Sequence, residues 1–343
     1  MTSLLEALTN GTVPRPRSMA QRLVDAQNQA VIEPLVGQFW YSGELTILFA
    51  DAGVGKSTLA VQIADGLSRG APLFGLTGPS RPMRIHMLDF ELSDRQVEAR
   101  YKDPHTGTHH NFADTFTCDT IDFAQMMIEA PSVRLDLAIL ERIRRDILVT
   151  GAEIIVIDNI SYLSMQTASD TQAALELMKS LVSLKRELGT SILVLAHTPK
   201  IPQSRPITVN DLAGSKHLAN FADSVFGLGR SATNKDVIYM KQVKASRSGE
   251  FVYDSDNVII MRRGRISPTF LGFSFEGTDS EFKHLRERDP DESIRIRGRA
   301  IEMHEKGASF REIAEKILGD RGKASTIHHW ISGAKSKREK FET

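Results

Sequence analysis

A single cysteine, Cys118, among 343 residues excludes an intramolecular disulfide. Its neighbours Phe116, Thr117 and Asp119 show no metal-ligand spacing, so it reads as core or strand filler. No apolar run approaches the ~20 residues that a membrane helix needs. The longest, such as Ile154 to Ile157 and Ile192 to Ala196, are strand-length. The start, Met1 to Asn10, lacks the basic stretch, apolar core and small-residue cleavage site of a secretory signal. The expectation is a cytoplasmic protein with no membrane contact. Net charge is also lacking, because 43 Lys plus Arg meet 43 Asp plus Glu. With no global basic field, any contact with DNA must come from local patches. What is present is ordinary for a folded chain, with 41% apolar and 25% charged residues. The length favours one large core plus a smaller module.

From Leu45 onward, short β-rich apolar runs alternate with longer segments carrying apolar residues at three-and-four spacing, the pattern of a mainly parallel sheet covered by helices. Strands are expected at Leu45 to Phe49, Arg84 to Leu88, Ile154 to Ile157, Ser191 to Leu195, Ser224 to Leu228 and Val237 to Val243. Helices are expected at Lys56 to Leu67, Ser93 to Tyr101, Leu135 to Leu148 and Thr171 to Leu188, with late strands between Val258 and Phe275. Residues 1–37 read as an N-terminal arm, broken by Pro14 and Pro16. Its one helix, Ser18 to Gln29, either packs on a neighbouring subunit or belongs to a plain arm. The core spans residues 38–282, and the charged stretch 283–292 reads as a linker.

The run Ala50-Asp51-Ala52-Gly53-Val54-Gly55-Lys56-Ser57 follows a strand and opens a helix, which is the context a phosphate-binding P-loop requires. Gly53 and Gly55 let the backbone curl so that N–H groups face phosphate, and the helix adds its positive dipole end. Lys56 reaches the β- and γ-phosphates in this reading, Ser57 takes Mg²⁺ and Thr58 backs the α-phosphate. The usual first glycine is Ala50 here, so the strict eight-residue form is not met. A glycine-rich turn without nucleotide is the alternative. The strand Ile154-Ile155-Val156-Ile157 ends in Asp158, the Walker B arrangement that holds Mg²⁺ through water.

The stretch Met87-Leu88-Asp89-Phe90-Glu91 resembles the RecA-like P-loop ATPases, in which an acid just past this strand polarises the attacking water. That resemblance makes Glu91 the general base; the alternative is a charge ahead of the helix at Ser93. The segment Ala196-His197-Thr198-Pro199-Lys200 is similar to that of RepA-like hexameric helicases, where a His senses the γ-phosphate, so the resemblance casts His197 as sensor. Val243-Lys244-Ala245-Ser246-Arg247-Ser248-Gly249 looks like the region of RepA- and DnaB-type helicases that supplies Lys and Arg across a subunit boundary. Lys244 and Arg247 would then act in trans, a basic hairpin tip is the alternative, and Arg230 is a rival for the finger. The resemblance spans Gln38 to Phe275 and is closest to plasmid and mobile-element ATPases of this kind. It implies ATP and Mg²⁺ as ligands and a homo-oligomeric ring or filament.

In such motors the loops after the Walker B and sensor strands line a DNA channel, here Asn159 to Asp170 and Thr198 to Asp211. Lys200 and Arg205 suit phosphates without reading bases. Tyr162 either stacks on a base or simply packs. Residues 293–334 read as three helices: Ile294 to Lys306, then Phe310 to Ile317 behind the capping box Ser309 to Glu312, then one beginning Ser325-Thr326-Ile327-His328-His329-Trp330. This looks like a helix-turn-helix, with Ser325, Thr326, His328 and His329 facing the major groove, Trp330 in the core and a basic tail over 335–343. A small protein-binding bundle is the alternative. The fold class is therefore α/β, a RecA-like core with a small all-α carboxyl-terminal domain. The expected activity is an ATP-driven DNA motor, and the competing reading is an ATP-dependent DNA-binding regulator.

Overall fold

The computed structural model describes residues 16–29, 31–121, 135–159, 170–212, 216–286, 290–318 and 321–339. Tyr162, most of the loop after the Walker B strand, and the residues from 340 onward lie outside the described residues. The chain divides into two units. The larger runs through Glu281 apart from residues 202–206 and 232–234, which group with Phe282–Thr343 as the smaller.

The larger unit is built on a nine-stranded sheet. Its members are β3 (Leu45–Ala50), β4 (Ile85–Asp89), β5 (Phe116–Thr120), β6 (Ile154–Asp158), β7 (Ser191–His197), β8 (Ser224–Arg230), β9 (Val237–Lys244), β10 (Val258–Ser267) and β11 (Phe270–Asp279). Two short strands, β1 (Pro34–Val36) and β2 (Trp40–Tyr41), pair separately. The order is β11-β10-β9-β8-β3-β7-β6-β4-β5. From β8 to β5 every pairing is parallel, and from β8 outward through β9, β10 and β11 every pairing is antiparallel. This is the α/β, RecA-like arrangement expected from the sequence.

Alternation along each strand explains why the sheet is covered on both faces. Ile154 and Val156 join Leu193 and Leu195 in one apolar core, while Ile155 and Ile157 join Ile192, Val194 and Ala196 in another. Residues two apart share a face, so each central strand feeds both cores and reads as a continuous apolar run. The first core packs α2 (Lys56–Ser68) through Leu59, Ile63 and Leu67. The second packs α4 (Leu135–Thr150) and α5 (Asp170–Leu188) through Ile139, Ile143, Ile147, Leu177, Leu181 and Leu184. Among the described residues the remaining α-helices of this unit are α1 (Met19–Gln27), α3 (Asp94–Arg100) and α6 (Lys216–Phe221). Ser18 caps α1 by accepting from Gln21 N–H, and Met19, Leu23 and Val24 on it are exposed.

The expected strands form, most of them one or two residues longer at the carboxyl end. The sequence reading omitted β5. Its residues, FTCDT, are mostly exposed and lack an apolar alternation, because it is the edge of the sheet and pairs only with β4. Cys118 sits on this edge strand.

The smaller unit contains α7 (Pro290–Glu305), α8 (Phe310–Leu318) and α9 (Ala324–Glu339) around Ala300, Ile313, Ala314, Ile327 and Ile331. The capping box forms: Ser309 N–H donates to Glu312 at 2.9 Å, and Glu312 N–H to the Ser309 hydroxyl at 3.3 Å. Trp330 is only half-buried, with the Arg297 guanidinium 5.6 Å from its ring, so the core position expected of it belongs to Ile327 and Ile331.

One buried ion pair ties the antiparallel extension together. Glu281 is fully buried and accepts from Lys241 Nζ at 2.6 Å and from Ile207 N–H at 2.7 Å. Replacing one partner leaves a buried charge without compensation. Glu281→Ala is therefore expected to lower the unfolding free energy by about 3 to 5 kcal/mol, measured by chemical denaturation, whereas a loss below about 1 kcal/mol would contradict this packing.

Candidate active site

Parallel pairing aligns the carboxyl ends of β3, β4, β6 and β7, with Ala50 opposite His197 and Asp89 opposite Asp158. Ligands of open α/β sheets bind in the crevice outside these ends. The P-loop leaves β3 here and turns into α2. Gly53 and Gly55 adopt φ of 72° and 114°, conformations open to glycine and strained for other residues. Ala50 has no such conformation and closes the buried strand, so a glycine is not required there. Asp51 steadies the turn by accepting from Ala52 N–H at 2.7 Å. Val54 is buried, whereas Ala52 and Gly53 face solvent.

Lys56 is buried, and its ammonium donates to the carbonyls of Ala50 at 2.9 Å and Asp51 at 3.5 Å and to His197 Nδ1 at 3.0 Å. Burial pulls its pKa down, opposed by the charges of Asp158, Glu91 and Asp51. Since an ammonium only donates, His197 Nδ1 must be the acceptor and Nε2 carries the proton. That proton points to Glu91 Oε1 at 2.9 Å. The Asn159 amide donates to the same oxygen and lies 2.9 Å from His197 Nε2. Lys56, His197 and Glu91 thus form one line of hydrogen bonds, with Asn159 holding its far end. Glu91 points into this site and not toward α3, whose start is capped reciprocally by Ser93 and Gln96.

Asp158 is completely buried, and among the described residues neither carboxylate oxygen has a hydrogen-bond partner of normal geometry, although the Ser57 hydroxyl lies close by. Desolvation raises its pKa to about 7, only partly offset by the nearby Ser57 hydroxyl and Lys56 and reinforced by Asp89 and Glu91. Asp89 is also buried and pushed up by burial, while it accepts from the N–H groups of Glu91 at 2.8 Å and Leu92 at 2.9 Å. Those bonds fix the backbone that presents Glu91. The Thr58 and Thr198 hydroxyls are likewise buried without partners among the described residues. Orphaned buried oxygens are costly, and a bare carboxylate beside a serine hydroxyl fits a hydrated divalent cation.

Other residues singled out from the sequence lie elsewhere. Lys244 donates to the carbonyls of Ala219 at 2.8 Å and Ala222 at 2.5 Å, at the end of α6. Burial lowers its pKa, and Arg247 adds to that. Arg247 is mostly exposed and meets Asp223 at 3.2 Å. Asp223 accepts from Leu45 N–H, so both cations sit at the opposite end of β3 from the P-loop, a separation of about 17 Å along the strand. The fold does not bring them to Lys56 of their own subunit. Lys200 is exposed in the larger unit, and Arg205, in the smaller, donates to the Pro206 carbonyl at 3.0 Å. Ser325, Thr326, His328 and His329 are all exposed on α9, with the His328 ring edge-on to Phe310 at 5.2 Å.

The sequence reading had not singled out Asn159 or Arg263 for the site. Asn159 directly follows the Walker B acid, which was an available signal. Arg263 was not legible, because β10 is brought to the P-loop by long-range strand pairing.

Residues 14–203, more than half of the chain, match the AAA domain family AAA_25. The chain belongs to that family and is a RecA-like P-loop ATPase. A KaiC-like protein from the hyperthermophilic archaeon Pyrococcus horikoshii OT3 is similar in structure over 68% of this chain and 90% of that one, at 15% identity and a TM-score of 0.45. No curated protein matches in sequence. Among the described residues no helix is long and apolar enough to cross a membrane.

The state of Asp158 is testable. Its native pKa lies above the unfolded value, so its contribution to stability is full in acid and is lost as pH rises through about 7. Asp158→Asn should stabilise the ligand-free protein by roughly 2 to 4 kcal/mol at pH 8, and the gain should shrink toward pH 4. An equal effect at both pH values in thermal melts would contradict the buried, unpaired carboxylate.

Proposed function

We propose that this ATPase is an oligomeric DNA motor of the RepA and DnaB type, in which hydrolysis at the crevice drives movement on a single strand. The observation that carries the oligomeric part is the separation of Lys244 and Arg247 from Lys56. The exposed Arg247 reaches a phosphate only in a neighbouring copy, and such a trans cation neutralises charge on the transferring phosphoryl group. In this reading Lys56 binds the β- and γ-phosphates, Thr58 backs the α-phosphate, and the N–H groups from Asp51 through Ser57 cradle the chain of charges. Glu91 orients and deprotonates the attacking water. His197 reports loss of the γ-phosphate, since its ring joins Lys56 to Glu91. Ser57 and Asp158 would hold Mg²⁺, the latter through water, and the ion when bound supplies positive charge to the phosphates and restores Asp158 to its ionised form.

DNA is assigned to the loop after the sensor strand and to the smaller unit's third helix. On that loop Lys200 and Arg205 would each contact a single-strand backbone. Exposed Ser325, Thr326, His328 and His329 on the third helix of the smaller unit support a helix-turn-helix reading and contact with duplex. That surface also favours the second reading, an ATP-dependent regulator that assembles on a duplex site and unwinds nothing.

The test is ATP turnover of the full chain without DNA, with single strands and with duplex. The motor reading expects stimulation by single strands, abolished in Lys56→Ala and retained when Ser325, Thr326, His328 and His329 are all alanine. Stimulation by duplex alone, lost in the fourfold variant, would transfer the assignment to the regulator. Undiminished turnover in Lys56→Ala would overturn the site itself.

A further inference from the structure

The closing hairpin of the sheet is fastened to the P-loop helix. Gln62 on α2 accepts from Phe273 N–H at 2.7 Å and donates to the Phe273 carbonyl at 2.9 Å. Phe273 on β11 is the register partner of Arg263 on β10. Both side chains reach Gly55: a Cβ added there would lie 2.7 Å from the Phe273 ring and 3.6 Å from Arg263 Cδ. Gly55 is therefore held to glycine twice, by its φ and by this cover.

From that position Arg263 Nη1 donates to the Gly53 carbonyl at 3.2 Å, and Arg230 Nη2, from the end of β8, donates to the same carbonyl at 3.3 Å. Arg263 is half-buried and forms no ion pair with a carboxylate among the described residues. Its neighbour Arg262 is instead paired with Glu276. Burial, then the charges of Arg100 and Arg230, depress the Arg263 pKa, so more than one guanidinium acts at this rim. A guanidinium fork binds phosphate far better than a neutral carbonyl, through charge-assisted paired hydrogen bonds.

We infer that Arg263, with Arg230 beside it, is a nucleotide-binding residue that clamps the α- and β-phosphates in cis, from the outer side of the P-loop. This rests on the assignment of the P-loop as the nucleotide site. The two arginines flank the loop at Gly53, whose segment cradles the α- and β-phosphates, whereas Glu91, His197 and Asp158 gather beyond Lys56 where the γ-phosphate belongs. The clamp thus holds ATP and ADP alike, and it is separate from any cation supplied across a subunit boundary.

The measurement is calorimetric binding of MgADP and of a non-hydrolysable Mg-ATP analogue to the full-length protein, with thermal melts as the check on folding. Arg263→Ala should weaken both ligands equally, by about tenfold to a hundredfold, the range for a hydrogen bond to a charged group. Arg263→Lys should recover part of the loss, and Arg230→Ala should weaken both ligands in the same sense. A folded Arg263→Ala protein that binds ADP like the wild type overturns the clamp, as does a loss confined to the ATP analogue. Mixing Arg263→Ala with Lys56→Ala subunits separates cis from trans. At ATP concentrations below the variant's affinity, activity should stay at the level of the Arg263→Ala subunits alone, because every site lacks one of the two residues, whereas a rise above that level would make Arg263 a trans residue and overturn the assignment. If wild-type protein binds neither ligand, the nucleotide assignment itself has failed.

Discussion

The parallel pairing of β3 with β7, next to β6 and β4, is the constraint on which the site depends. It sets Ala50 opposite His197, so the loop that carries Lys56 emerges beside the imidazole that accepts a hydrogen bond from its ammonium. Alongside them β6 and β4 end together, Asp158 opposite Asp89, with Ile157 in register with Val194 of β7, and Glu91 turns back over the crevice from there. A one-residue slip would send every side chain of the slipped strand to the other face of the sheet and exchange its contributions to the two cores. Apolar burial on both faces thus fixes the register that aligns a lysine, a histidine and two acids.

The crevice is electrostatically unfinished. Asp158 is buried with bare oxygens and a raised pKa, the Thr58 and Thr198 hydroxyls are unpartnered, and Arg263 converges with Arg230 on one backbone carbonyl. Among the described residues, the Asp158 oxygens and the two threonine hydroxyls have no hydrogen-bond partner, and a hydrated magnesium nucleotide offers donors and acceptors of the kind they need. The cluster of His86, Asp119 and Asp146 on the sheet's edge differs in this respect, since Arg142 already bridges the two acids.

Much of this was legible in the sequence for physical reasons. The P-loop announced itself because strand, glycines, lysine and serine must be contiguous to work. Asp158 and His197 stood at the ends of fully buried strands, where an apolar run stops at a polar residue. Strand β5 was hidden because an edge strand needs little apolar patterning, and Trp330 was assigned too deep because bulk alone does not decide burial. Arg263 was beyond reach, since its approach to Gly53 depends on the β10–β11 register and on Gln62. The cis position of Arg230 likewise appears only once β8 is known to lie beside β3.

The central claim is that Glu91, held by His197 and Asn159, deprotonates water at a nucleotide bound on Lys56. Steady-state turnover of Glu91→Gln, measured together with its ATP affinity, tests this most directly. The substitution keeps the shape and removes the base, so turnover should fall about a hundredfold or more while affinity stays within a few-fold of wild type. Turnover near the wild-type rate in a folded Glu91→Gln protein would contradict the account.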